Sequence, residues 1–322
     1  MRPRIVAGLI CAAAGPAAAQ DFRLGLPIDC RLGQDCYIQQ YVDHDPTAGA
    51  KDPFCGPLSY DRHKGTDFAV PTLRDLEPGV DVIASADGRV IGLRDGMKDA
   101  LFDPEDANEI AGRECGNGVV LDHGNGWQTQ YCHLEKGSVQ VSKNQIVQAG
   151  AVLGRVGLSG RTQFPHVHLS VRKDGAVVDP FAPNGVHSCE TPPSETLWTT
   201  EPLVQMGGVL DVGFADQLPE YMDVKAGTAA AAFVSKSAPA LVAFGFVFGG
   251  RAGDVMRIEI EGPNGSFAQQ DILLERTQAQ LFRAIGKRSR GRDWAVGFYH
   301  TTVSLTRAGE VIDEMSGSVN VK

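Results

Sequence analysis

No stretch of the 322-residue chain stays apolar for the roughly 18 positions a bilayer-spanning helix needs, which excludes a helical membrane protein. Positive charge is also short. Lys and Arg number 30 against 39 Asp and Glu, for a formal charge of −9. General nucleic-acid binding needs clustered cations to displace counterions, so nucleic acid is not an expected partner. There is no CxxC pair, no internal repeat and no long amphipathic helix. What remains is 43% hydrophobic and only 21% charged, with 38 Gly and 18 Pro, a folded and loop-rich composition. The length exceeds the common size of one domain, so two are expected.

Arg2 and Arg4 precede a short apolar run, Ile5 to Ala14, which Gly15-Pro16 interrupts. Ala17-Ala18-Ala19 then offers small residues for cleavage before Gln20, so residues 1–19 read as a signal peptide and the chain as exported, to the periplasm or beyond. Ile10 before Cys11 is too large for a lipid anchor. Loss of Arg2 and Arg4 takes the charge from −9 to −11 and leaves six cysteines: Cys30, Cys36, Cys55, Cys115, Cys132 and Cys189. An even number in an exported chain points to disulfides, with about 15 pairings open. Cys115 and Cys132 flank the expected turn His123-Gly124-Asn125-Gly126, and so can bridge across a hairpin. Cys30 with Cys36 would close a small loop, and Cys55 would then join Cys189.

Short β-branched runs separated by Gly, Asp-Gly and Asn-Gly predict a mostly β chain. Val80–Ala84, Gly88–Leu93, Gly118–Asp122, Gln128–Cys132, Ala151–Val156 and Val167–Arg172 all fit strands. Between Arg94 and Arg113 the pattern lapses into an acidic stretch, read as an exposed, solvated insertion. Ser188 to Thr196 is polar, carries Pro192-Pro193, and marks a linker at 191–196. Beyond it Phe244, Phe246 and Phe248 alternate with Gly245, Val247 and Gly249, and Arg257 to Glu261 alternates strictly. Residues 197–322 therefore read as an immunoglobulin-like β-sandwich with no reactive cluster, whose own partner would be a protein or the cell wall.

Four of the eight histidines, with one aspartate, form a pattern. His63 and Asp67 are four apart, and His166 and His168 are two apart in a strand-like run, so both imidazoles project from one face. His133 ends the expected hairpin. His44, His123, His187 and His300 read as loop or surface groups, and Trp127 and Tyr131 as packing residues.

In this order the motifs resemble the lysostaphin/LytM-type zinc endopeptidases. The likeness begins at His63-Lys64-Gly65-Thr66-Asp67-Phe68-Ala69-Val70-Pro71 and continues through Val82 to Val90. It resumes from Gly116 to Leu134, then at Ala149 to Gly157, and closes with Pro165-His166-Val167-His168. It covers about Ile28 to Phe181 and implies a zinc peptidase domain over 20–190, an antiparallel β-sheet with a groove. By this resemblance His63, Asp67 and His168 bind one zinc ion, and His133 and His166 are the unligated catalytic pair. His166 in place of His168 as ligand stays open on alternation alone. Two imidazoles, a carboxylate and an open position for water are the chemistry of a catalytic zinc site, where the activated water attacks a peptide carbonyl. The implied substrate is peptidoglycan peptide, cross-bridge or stem. The alternative is a masked peptidoglycan-binding regulator of another cell-wall hydrolase. The family often follows the second histidine with Phe-Glu, where this chain has Leu169-Ser170.

Overall fold

The computed structural model describes residues 21–322 apart from 187, 190–192 and 194. The expected signal peptide, His187 and part of the 191–196 linker lie outside the described residues. The chain is mostly β, and its sheets are antiparallel. The first unit contains β1 (Tyr37–Gln40), β2 (Thr66–Ala69), β3 (Asp81–Ile83), β4 (Gly88–Arg94) and, after a one-turn helix α1 (Ala107–Ile110), β5 (Asn117–Gly124). It continues with β6 (Trp127–Leu134), β7 (Ile146–Val147), β8 (Val152–Arg155), β9 (His166–Lys173) and β10 (Ala176–Val178). The main sheet runs β1-β2-β9-β6-β5-β4-β7, with β10 on β9, while β3 pairs β8 apart from it. The six sequence-predicted strands are all present. Short β1 and β2 had no strand expectation, because neither is long enough to show a period.

Asn125 and Gly126 turn β5 into β6 with φ of 50° and 80°, the left-handed pair a two-residue hairpin requires. On β9 the alternation divides the faces. Val167, Leu169 and Val171 enter the core with Phe68, Leu121 and Tyr131, leaving His166, His168 and Ser170 on the opposite face. Disulfides join Cys30–Cys36, Cys55–Cys189 and Cys115–Cys132, as the sequence led us to expect. Leu24 pairs with the 197–199 segment, and Trp198 packs in this first core.

The second unit contains β11 (Gly208–Ala215), the short helix α2 (Tyr221–Ala226), β12 (Ala240–Gly250), β13 (Val255–Gly262) and β14 (Gly265–Leu273). It ends with β15 (Gln278–Arg288), β16 (Gly297–Arg307) and β17 (Glu310–Val321). The sheets β11-β12-β15 and β14-β13-β16-β17 face each other over Leu241, Ala243, Val247, Met256, Ile258, Ile260, Val303 and Leu305. The packing is tight at Gly245, where a Cβ would meet Val303 Cγ1 at 2.6 Å.

The alternating phenylalanines of β12 do not face the sandwich interior. Phe244, Phe246 and Phe248 point the other way, into a third apolar cluster with Tyr37 and Ala69 of the first unit and Leu210 and Val224 of the second. Both faces of β12 are therefore buried, which is why the strand reads as a nearly unbroken apolar run. Burying each such ring stabilises by roughly 1.5–3 kcal/mol. Polar contacts add direction: Gln39 Nε2 donates to the Ala279 carbonyl at 3.1 Å, and Gln280 Nε2 donates to Tyr37 Oη at 3.0 Å. The docking covers β1, an edge strand that would otherwise offer unpaired backbone groups.

Candidate metal centre

Three strands converge on one polar cluster beneath the surface. β2 carries Asp67, β9 carries His166 and His168, and the end of β6 carries His133. Asp67 and His168 are direct cross-strand partners, so their side chains leave the sheet side by side. His63 approaches from the preceding turn. Gly65 makes this possible, because a Cβ there would lie 2.5 Å from His168 Nε2.

His63 Nε2, Asp67 Oδ1 and His168 Nδ1 lie close together. The separations are 3.2 Å from His63 to Asp67, 3.1 Å from His63 to His168 and 2.8 Å from His168 to Asp67. Donors about 2.0–2.1 Å from a tetrahedral zinc are roughly 3.3 Å apart, so the trio fits one ion with little movement. Each of the three thus offers one ligand atom to a shared point. His166 Nε2 is further away, 3.5 Å from Asp67 Oδ1.

Outer partners orient the rings. His63 Nδ1 donates to the Tyr41 carbonyl at 2.6 Å, which leaves the Nε2 lone pair facing the cluster. His168 Nε2 meets Ser170 Oγ at 2.9 Å, and with its proton there Nδ1 faces the cluster. Ser170 stands two residues after His168 on the same strand face, where the resembled family often has Glu. A hydroxyl fills the orienting position here.

His133 and His166 flank the trio, their ring centroids 4.6 Å apart. His133 Nδ1 donates to the Ser159 carbonyl at 2.8 Å, leaving Nε2 as a free base. Its backbone is left-handed, with φ of 66°, and its N–H donates to the Cys115 carbonyl at 2.8 Å. The Cys115–Cys132 disulfide therefore sits directly against the turn that aims this ring. His166 Nδ1 faces the Phe164 carbonyl at 2.9 Å and Thr162 Oγ1 at 3.0 Å, and the Phe164 ring stacks on it.

Burial sets the charges. It would raise the Asp67 carboxyl, but His63, His166 and His168 outweigh it and hold the group well below the usual carboxylate range. Burial lowers His63, and the neighbouring Asp67 reverses the sign, so His63 titrates above the ordinary histidine value. His133 is pushed well below that value, first by burial and then by His166 and His168. His166 is also lowered by burial, against the pull of Asp67. At neutral pH both flanking imidazoles are neutral, the form a proton acceptor needs.

All five sequence-predicted site residues thus meet in one place. Sequence reasoning missed Ser159, Thr162 and Ser170. Only Ser170 had a legible signal, its two-residue offset from His168. His123 behaves as expected: its ring is satisfied locally by the Asp87 carbonyl and Thr129 Oγ1.

Residues 61–180 match the model of Peptidase family M23. Over 133 residues the chain is 32% identical to Peptidoglycan DD-endopeptidase ShyA of Vibrio cholerae, covering 41% of this chain and 25% of that protein. It is 37% identical over 120 residues to DD-carboxypeptidase/endopeptidase Mpg of Neisseria meningitidis, covering 37% of this chain and 22% of that one. The solved structure of a zinc containing peptidase from Vibrio cholerae is 27% identical, with a TM-score of 0.29 over 44% of this chain and 38% of that chain. The chain spans about a quarter of the length of the curated relatives it matches.

Proposed function

Because residues 61–180 form a peptidase family M23 domain, we propose that the chain is an exported zinc endopeptidase that hydrolyses peptide bonds of peptidoglycan. In this reading 1–19 is the signal peptide, the peptidase domain follows and keeps Leu197 and Trp198 in its core, and an immunoglobulin-like sandwich whose first strand starts at Gly208 braces it. His63, Asp67 and His168 hold one zinc ion, and His133 and His166 act on the reacting groups. The observation that carries the reading is the trio of donor atoms 2.8–3.2 Å apart, with the His63 ring fixed by a backbone carbonyl. A zinc ion bound there would lower the pKa of a water and polarise the scissile carbonyl.

The chain's own residues supply the rest. His133 keeps its Nδ1 proton on the Ser159 carbonyl, so Nε2 can take a proton from the attacking water and return it to the leaving amine. His166, held by Thr162 and Phe164, stands where it can stabilise the developing negative charge or share the proton transfer. Asp67, kept ionised by the surrounding imidazoles, balances the charge of the centre.

His63, Asp67 and His166 are each at most 3% exposed, and this burial favours a second reading: a peptidoglycan-binding regulator whose site is masked. Two variants separate the readings. His168→Ala lowers zinc content and abolishes turnover, while His133→Ala keeps zinc and lowers turnover by about 10²–10⁴-fold. Full activity in both variants would refute the assignment, and wild-type protein that binds sacculi with zinc yet releases nothing would establish the regulator.

A further inference from the structure

The acidic insertion between β4 and β5 is exposed over much of its length, as expected, but it is stitched to the main body. Its carboxylates accept backbone N–H groups of the main body: Asp95 from Gly137 at 2.7 Å, and Asp99 from Lys136 at 2.7 Å and Leu158 at 2.8 Å. The Asn117 side chain accepts from Gly96 and Met97, both at 2.8 Å. Phe102 N–H donates to the Thr162 carbonyl at 2.7 Å. The insertion thus lies along the 158–164 segment as an added wall, and that same segment holds both unligated imidazoles.

Between this wall and α1 is a cavity of about 240 Å³, lined by the apolar Met97, Leu101, Phe102 and Ile110 and also by the charged Lys98, Glu109 and Arg113. Arg161 stands at its edge, the guanidinium 5.1 Å from the Phe102 ring centroid. The Glu114 carboxylate lies near enough to feel its charge, but no ion pair closes on the guanidinium among the described residues. Tyr60, half exposed, packs on His63 with ring centroids 4.4 Å apart. Gly160 lines the cavity and Arg161 follows it, while Ser159 and Thr162 on either side hold His133 and His166, so the cation, the largely apolar cavity and the candidate centre adjoin one another along this segment.

We propose that this cavity and Arg161 form a substrate subsite for an aliphatic side chain next to a free carboxylate, on one side of the scissile bond. The subsite rests on the peptidase reading. The cavity lining takes the aliphatic part out of water. The Arg161 fork pairs with the carboxylate, and stacking on Phe102 limits the freedom it would lose on binding. A net acidic chain repels anionic peptides in general, so a local cation is what would let one approach.

The test uses a cross-linked stem-peptide dimer with its carboxylates free and the same dimer with carboxamides. Both are assayed for cleavage by the zinc-loaded protein and for equilibrium binding to its His133→Ala variant. The free acid should be preferred by about tenfold in kcat/KM and in binding. Arg161→Gln should erase that preference, Arg161→Lys should restore part of it, and Phe102→Ala should raise KM for both dimers. If neither dimer is cleaved, the peptidase reading falls, while the binding preference and its loss in Arg161→Gln still decide the subsite. Equal binding of acid and amide, or a preference that survives Arg161→Gln, would overturn it.

Discussion

The two units are both antiparallel β, yet they bury opposite things. The sandwich interior is apolar, and its most buried ionic group, Asp254, is closed off bidentately by Arg307 at 2.7 and 3.0 Å. The first unit buries an aspartate among four imidazoles, an arrangement that desolvation opposes. All six cysteines of the described residues lie in that first unit. The difference teaches where bracing is needed. A core of alternating strands holds itself, whereas a functional cluster must be held by its surroundings, here disulfides, a stitched insertion and a docked neighbour.

If the sandwich is a brace, breaking the contact should damage the first unit too. Phe246→Ala removes a ring from the shared cluster and should cost about 3–5 kcal/mol, splitting one calorimetric unfolding transition into two. A transition unchanged in shape and temperature would show that this contact braces nothing, and two transitions already in the unsubstituted protein would show that the units stand alone. The next effect concerns the disulfide beside His133. Replacing Cys115 and Cys132 together with Ser should cost roughly 3 kcal/mol and lower turnover without releasing zinc, since the Cys115 carbonyl holds the His133 N–H. Ser170→Ala should weaken zinc binding by about tenfold in a chelator competition, because the outer partner of His168 is lost.

The smallest effect is in pH. The folded protein holds His133 neutral below the ordinary histidine value, so the unfolded chain binds more protons there. Its contribution to stability therefore falls as pH drops below about 6.5. The acid limb of activity should also lie below about 6.5, because protonation of Nε2 removes the base. A limb above that value in the rate profile would remove His133 from the role.

Much of this was legible in the residues. The two-residue spacing of His166 and His168 placed both on one face, and the Asn125-Gly126 turn fixed the hairpin that delivers His133. The three disulfides match the pairing that chain order and the hairpin suggested among those left open. What could not be read were contacts set by tertiary packing. The Phe244, Phe246 and Phe248 pattern gives a strand with an aromatic face but not which side that face meets. Nor does an acidic run show that Asp95 and Asp99 accept backbone N–H groups rather than water. The carbonyls of Ser159 and Phe164, which aim the two imidazoles, leave no trace in sequence because any residue type carries them.

The most direct test of the central claim is mass spectrometry of products from purified sacculi of several cross-link types. The protein would be added with and without a chelator, and then with zinc restored. The account predicts peptide fragments whose release stops with the chelator and resumes with zinc, and whose masses identify the bond cut. Release that ignores the chelator, or none from any sacculus despite one bound zinc per chain, would contradict it.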